Sequence, residues 1–406
     1  AHALWLAGRM DEAVAMARRA CDAQPTNPQF RVNYAQTLAW SGDSEGALAA
    51  PGDIPRADHH GHMVRARAWC AVGEALTARG DFEAALAAFE RGIEIAPEYD
   101  LVHMGYAMAA LRLGRFEDGW RSYARRERIP FFYPLRTAGL PGRRWQGESL
   151  AGAAILLRDD QGYGDAIQFF RYLPQIAARR PARIVWSTFE PLAALFAAST
   201  SLAEIVSGTP PGFEPDYHCM TADLPGAMGT RLDRVPQALS YLRAPDAALR
   251  ARPRPSGNDP RVGLVWSGDP RHMNDRMRSC PASVFLALAD LRGIEFVGLQ
   301  KEIRESDMRA VAARGEGLRA GESLGDFADT AAIIAGLDLV VSVDTSVAHL
   351  AAALGKPVWL LLPLASEWRW LTDRDDSPWY PTMRIFRSGR DGWPPLVGRV
   401  ARETGR

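Results

Sequence analysis

The pattern of apolar and polar positions changes character once along the chain. From Ala1 to Pro130, helical stretches are interrupted by breaks of one recurring form. These are Ala7-Gly8-Arg9-Met10-Asp11-Glu12-Ala13, Ser41-Gly42-Asp43-Ser44-Glu45-Gly46-Ala47, Arg79-Gly80-Asp81-Phe82-Glu83-Ala84-Ala85 and Leu113-Gly114-Arg115-Phe116-Glu117-Asp118-Gly119. Gly8, Gly42, Gly80 and Gly114 recur at intervals of roughly 34 residues, the middle interval being slightly longer, and Ala or Gly returns five positions after each. Pro25, Pro97 and Pro130 follow Gly8, Gly80 and Gly114 at a nearly constant distance. Each position has a physical use. Glycine after a helix takes the left-handed cap conformation that other residues resist. The acidic residue behind it suits the positive end of the next helix. The small residue lets two helices approach, and proline stops the second. The second unit departs from this scheme. Pro51-Gly52-Asp53-Ile54-Pro55 cuts its second helix short, and a loop with His59, His60 and His62 follows. Those histidines are read as solvated loop residues, with a metal site as the alternative.

Beyond the Pro/Gly/Arg-rich stretch Pro130 to Gly147, strand-length apolar runs alternate with helical ones. Ala153–Leu157 and Arg183–Ser187 read as buried strands with a helix over Ala166–Arg179 between them, the order of a parallel sheet. Arg252 to Pro260 reads as a linker. A second series then has strands at Arg261–Trp266, Glu295–Leu299, Leu337–Ser342 and Pro357–Leu362. Two parallel α/β units predict a cleft at the C-terminal ends of their strands.

Composition narrows the function. The chain has 406 residues, enough for two to four domains, and 47% hydrophobic with 24% charged residues is globular rather than disordered. Its 48 basic and 48 acidic residues cancel, which argues against a nucleic-acid binder. Cys21, Cys70, Cys219 and Cys280 form no C-x-x-C pair, so neither a zinc knuckle nor a disulfide framework is expected, and a reducing, cytoplasmic compartment is. No uncharged apolar run reaches membrane-spanning length, so no membrane span is expected. The chain opens inside a helical pattern without an initiator Met, so further repeats are expected ahead of residue 1.

Three motifs carry chemistry. In Val343-Asp344-Thr345-Ser346-Val347-Ala348-His349-Leu350-Ala351-Ala352-Ala353-Leu354-Gly355-Lys356-Pro357, a buried strand ends at Asp344 and a helix starts at Thr345 or Ser346, whose hydroxyls are placed to cap it. The helix start is an anion site, and His349 lies one turn along the same face. In Arg158-Asp159-Asp160-Gln161-Gly162-Tyr163-Gly164-Asp165, Gly162 and Gly164 permit a tight loop after the first strand. Asp165 is a candidate general base or simply a helix cap, with Asp159 and Asp160 as alternative bases. In Ser267 to Pro281, Arg278 and then Arg276 are the candidates for meeting phosphate, with Asp275 placed to orient either. Gln300 and Lys301 end a strand at the cleft, and Asp326-Phe327-Ala328-Asp329-Thr330 precedes a helix. Glu367-Trp368-Arg369-Trp370, Asp373 and Trp379-Tyr380-Pro381 are aromatic, charged segments suited either to sugar stacking or to packing between domains.

The segment from Ala1 to Pro130 resembles tetratricopeptide repeats. The segment around Asp344 and His349 resembles the donor signature of the ADP-heptose:lipopolysaccharide heptosyltransferases, glycosyltransferase family 9, with Ser346 standing where that family has Gly. The resemblance implies a tetratricopeptide solenoid followed by a GT-B fold of two Rossmann-like units facing a cleft. The expected domains are 1–130 repeats, 131–150 linker, 151–250 acceptor-side unit, 258–390 nucleotide-sugar-binding unit and 391–406 tail. It implies Asp165 as the base, with Arg276, Arg278, Gln300, Lys301, Asp344, Thr345, Ser346 and His349 around the donor and Gly162 and Gly164 shaping the loop. It further implies an inverting transfer without a metal or other cofactor, from a nucleotide sugar to a hydroxyl acceptor. A flagellin-like or other secreted protein held by the repeats is the expected acceptor. A glycan or lipid-linked acceptor and a non-catalytic scaffold are the alternatives.

Overall fold

The computed structural model describes residues 1–6, 9–57, 60–129, 139–252, 254, 257–272 and 274–404. Ala7, Gly8, His59, Pro130 and residues 131–138 of the expected linker therefore lie outside the described residues. The chain divides into two compact units. The first contains Ala1–Ala138, Asp269–Met277 and Leu364–Asp373. The second contains Gly139–Gly268, Arg278–Pro363 and Arg374–Arg406.

The first unit is built from α1 (His2–Leu6), α2 (Met10–Ala23), α3 (Pro28–Ser41), α4 (Ser44–Ala49), α5 (His62–Arg79), α6 (Phe82–Ile95), α7 (Asp100–Arg112) and α8 (Phe116–Tyr123). The repeated glycines among the described residues take the conformation their spacing predicts. Gly42 and Gly80 cap α3 and α5 at φ 89° and 88°, and Gly114 follows α7 at φ 77°. The small residues beyond them are contact points. Ala13, Ala47 and Ala85 are fully buried, and a Cβ on Gly119 would stand 2.6 Å from Leu111 Cδ2. Helices α2 and α6 each stop two residues before their proline, because the residue preceding a proline is disfavoured in the helical region. The second repeat is short, as predicted. Helix α4 ends at Ala49, and a 3₁₀ turn at Ile54–Arg56 buries Ile54 against Val32 and Ala68.

Two segments from the second half of the sequence belong to this unit. Trp368 packs edge-on against Trp120 (5.2 Å between centroids) and Phe116 (6.5 Å). Arg112 Nε donates to the Ser366 carbonyl at 3.0 Å. Asn274 donates to Glu367 Oε1 at 3.0 Å, and Arg276 pairs with Asp11 of α2 at 3.1 Å.

Among its described residues, the second unit holds two five-stranded sheets, each parallel throughout. The first has the order β1 (Arg143–Arg144), β5 (Tyr217–Met220), β2 (Ala154–Arg158), β3 (Arg183–Thr188), β4 (Glu204–Ser207). The second runs β10 (Met383–Arg387), β9 (Val358–Leu362), β8 (Leu339–Val343), β6 (Arg261–Val265), β7 (Glu295–Gly298). Strands β2, β3, β6, β7, β8 and β9 fall where the apolar runs predict them. The helix expected over 166–179 is interrupted. It forms as α9 (Tyr163–Phe169), a 3₁₀ turn over Phe170–Tyr172 and a separate helix Leu173–Ala177, because Pro174 suits only a first turn. Three more helices bear on the site: α10 (Glu190–Ser199), α11 (Phe327–Ala335) and α12 (Ser346–Ala353).

Candidate active site

Strand β2 delivers Asp159 and Asp160 at its C-terminal end. Asp159 is 7% exposed; Thr221 Oγ1 donates to its Oδ1 (2.9 Å) and Trp186 Nε1 to its Oδ2 (3.3 Å). Burial pushes its carboxyl up to about 7, against the pull of these donors. Asp160 accepts the Ala222 N–H at 3.4 Å. Both carboxylates thus tie strand ends together. The chain then turns through Gly162, which caps α9, and its N–H donates to Asp165 Oδ2 at 3.1 Å. Asp165 is therefore not the cap residue that the alternative reading expects: it stands at the third position of α9 and bonds back to the Gly162 cap, while remaining half-buried.

Gly164 brings the two sheets' helices together. A Cβ at this position would lie 3.0 Å from Cδ2 and 3.4 Å from Nε2 of His349, so α9 packs directly on the imidazole of α12. His349 is 1% exposed. Its Nε2 lies 3.7 Å from Asp344 Oδ1, and its Nδ1 shares a 2.7 Å hydrogen bond with the Tyr380 hydroxyl. Helix α12 begins at Ser346, with Thr345 at the cap position. The expected hydroxyl cap is corrected here: Thr345 makes no side-chain cap bond, and its Oγ1 instead meets Ser342 Oγ at 3.1 Å. The first-turn N–H groups of α12 have no carbonyl one turn earlier within the helix, which makes this end a natural seat for an anion.

Arg278 lies beside this end and donates to the Asp344 carbonyl at 3.1 Å. Its guanidinium covers Gly268, where a Cβ would stand 2.7 Å from Cζ, so a larger residue there would push the guanidinium aside. Arg304 reaches the same turn, donating to the Gly268 carbonyl (3.1 Å) and Ser279 Oγ (3.2 Å). Gln300, 6% exposed, accepts the Ser267 N–H at 3.1 Å and donates to the Glu302 carbonyl at 3.1 Å. Its side chain is engaged in shaping the loops. Lys301 donates to the Gly325 carbonyl at 2.9 Å, ahead of Asp326, which caps α11.

The structure therefore gathers Gly162, Gly164, Asp165, Arg278, Asp344, Thr345, Ser346 and His349 around α9 and α12. Gln300 joins them through the end of β6, and Lys301 stands farther along at the start of α11. Arg276 is not with them: it pairs with Asp11 in the repeat-bearing unit. Three residues were not singled out as site candidates by the sequence. Arg304 and Arg171 were not among the candidates, and Tyr380 entered only within the aromatic segment Trp379-Tyr380-Pro381. Among the described residues, no group of three or more His, Cys, Asp or Glu could hold a metal, and His62, which opens α5 rather than lying in the expected loop, pairs with Glu98 at 2.9 Å. A depression of about 380 Å³ lined by Arg183, Ile184, Leu202 and Glu204 opens at the opposite end of β3 and has no part in this arrangement. No helix among the described residues is long and apolar enough to cross a membrane.

The two halves of the chain are similar to different known families. Residues 4–70 and 76–119 match the tetratricopeptide repeat. Residues 324–371, which span α11, β8, α12 and β9, match glycosyltransferase family 9 (heptosyltransferase). The chain is 28% identical to Protein FlbA of Caulobacter vibrioides, over 97% of this chain and 70% of that protein. Similar solved structures include the E. coli ADP-heptose lps heptosyltransferase II, at 15% identity and a TM-score of 0.44 over 62% of this chain and 97% of that one. An O-GlcNAc transferase mutant from Thermobaculum terrenum is similar at 15% identity and a TM-score of 0.30, over 89% of this chain and 80% of that one. The chain thus joins tetratricopeptide repeats to a heptosyltransferase-like glycosyltransferase half.

Proposed function

We propose that the enzyme transfers a sugar from a nucleotide-sugar donor to a hydroxyl of a protein acceptor recruited by the repeats, with inversion at the anomeric carbon and without a metal. The observation that supports this reading is the close approach of Gly164, the neighbour of Asp165, to His349 of α12. In this reading Asp165 takes the proton of the acceptor hydroxyl. The acceptor oxygen then attacks the anomeric carbon from the face opposite the departing diphosphate. The N-terminus of α12 and the guanidinium of Arg278 stabilise the charge that develops on that leaving group. Asp344 orients Arg278 through its carbonyl and His349 through its carboxylate. The repeat match supports a protein acceptor, because stacked helix pairs present a surface suited to a polypeptide segment.

The test is a panel of nucleotide sugars with candidate protein acceptors, reading nucleoside diphosphate release and the mass added to the acceptor. Asp165→Asn is expected to lower kcat at least 100-fold while leaving donor binding within about threefold, the size of effect a lost general base produces. Wild-type turnover in Asp165→Asn would remove the base assignment. Loss of activity in EDTA, restored by a divalent cation, would remove the metal-free mechanism. Transfer to a glycan alone would remove the protein acceptor.

A further inference from the structure

The imidazole of His349 is held on three sides. The edge carrying Nδ1 meets the Tyr380 hydroxyl at 2.7 Å. The Cδ2 edge lies against Gly164. Nε2 stands 3.7 Å from Asp344 Oδ1. An ionised carboxylate only accepts hydrogen bonds, so a ring nitrogen beside it is favoured when it carries the proton. That places the proton of the uncharged ring on Nε2 and leaves Nδ1 as the acceptor. The Tyr380 O–H, able to donate or accept, then donates. A flipped ring would set a carbon against the Tyr380 hydroxyl and forfeit this bond.

Tyr380 is itself fixed from behind. It is 1% exposed, and the Arg171 guanidinium lies over its ring at 4.5 Å. Arg171, 4% exposed, donates to the carbonyls of Gln168 (2.7 Å) and Pro236 (3.3 Å), to the Trp379 carbonyl and to the Tyr241 hydroxyl (3.0 Å). A buried, fully charged guanidinium with this many acceptors does not move without breaking several charge-assisted bonds.

We infer that Tyr380 is a positioning residue that fixes the ring orientation of His349, and so keeps Nε2 facing the Asp344 carboxylate that favours the Nε2–H tautomer, and that through the Gly164 contact it sets the spacing between the Asp165 loop and the start of α12. Arg171 is the strut that holds Tyr380. The tautomer stands independently of the proposed reaction; the kinetic consequence rests on it.

The experiment uses the full chain with ¹⁵N-labelled histidine and long-range ¹H–¹⁵N correlation spectra, with the His349 signals identified by their loss in His349→Gln. The wild-type protein is expected to show the Nε2–H pattern for His349. Tyr380→Phe keeps the ring under Arg171 and removes only the hydroxyl; it is expected to give a mixed or switched tautomer, a roughly tenfold fall in kcat and a donor KM within threefold. A wild-type spectrum with the proton on Nδ1, or on both nitrogens, overturns the inference without recourse to any variant. So does a Tyr380→Phe protein whose tautomer and kcat are unchanged. An Nε2–H spectrum in a protein that turns over no nucleotide sugar would leave the tautomer assignment standing and remove the proposed function instead.

Discussion

Replacing Gly164 by alanine adds one methyl group where α9 meets His349. The added carbon would sit 3.0 Å from Cδ2 and 3.4 Å from Nε2, against about 3.5–4.0 Å for a relaxed contact. Either the ring or the helix must give by about 0.5 Å. The ring has little room, being 1% exposed and bonded to Tyr380 at 2.7 Å. A forced rotamer costs about 0.5–1.5 kcal/mol and overpacking about 1–3 kcal/mol. Alanine in a helix also recovers about 1 kcal/mol over glycine, so the net destabilisation is about 0.5–3.5 kcal/mol. The strain falls on the spacing between Asp165 and α12. Since about 1.4 kcal/mol is tenfold in rate, kcat should fall about 10- to 100-fold in Gly164→Ala and further in Gly164→Val. Nucleotide release kinetics and a thermal melt, run beside Gly389→Ala at an exposed position with no atom within 4 Å of the added carbon, make the comparison. If Gly164→Ala and Gly164→Val both keep wild-type kcat/KM and melting temperature, the contact does not set the geometry and the reasoning fails.

Other consequences can be measured separately. Asp159 has a folded-state pKa of about 7, above the 3.8 usual for its carboxyl, so the folded protein holds its proton where the unfolded chain has lost it. Its contribution to stability is therefore present below about pH 4 and is lost as pH rises towards 7, by up to about 4 kcal/mol. The melting-temperature difference between Asp159→Asn and wild type should accordingly shift in the variant's favour between pH 4.5 and 7.5, and a pH-independent difference would contradict the assignment. Arg278→Ala should raise the donor KM about 10- to 100-fold, the cost of a charge-assisted phosphate contact, whereas Arg276→Ala, which loses an exposed pair with Asp11, should leave it within twofold. Equal effects from the two arginines would reverse their ranking. In the repeats, Cβ atoms on Gly73 and Gly105 would each press into the Phe89 ring, at 2.6 Å in the first case, so Gly105→Val should destabilise that unit by at least about 1–3 kcal/mol in a circular-dichroism melt.

What the sequence disclosed follows from how local each feature is. Gly42, Gly80 and Gly114 were legible because a left-handed cap is a property of one residue. Strands β2, β3, β6, β8 and β9 were legible because strands of a parallel sheet covered on both faces read as continuous apolar runs. Strands β4 and β10 carry no such run and β1 is two residues long, whereas β7, also a sheet edge, was legible from its apolar run. Arg276 and Arg278 looked interchangeable in one dimension. They lie in a short helix, Asp275–Arg278, where residues two apart point in different directions, so one reaches Asp344 and the other Asp11. The hydroxyls of Thr345 and Ser346 suggested a side-chain cap, but Ser342, one turn away on the strand side, captured Thr345. Tyr380 was visible only as part of an aromatic loop, because its meaning depends on a histidine 31 residues earlier.

The placement of Arg171 bears on how this protein is made. Its guanidinium is buried in the early half of the second unit, yet one of its acceptors, the Trp379 carbonyl, lies 208 residues later in the chain, and the aromatic faces of Trp379 and Tyr380 arrive with it. During synthesis, the first sheet leaves the ribosome carrying a cation whose enclosure is not yet made. The acceptor and the aromatic faces that enclose Arg171 are supplied only once residues 379 and 380 have been made, so the segment bearing β1 to β5 emerges with that site open.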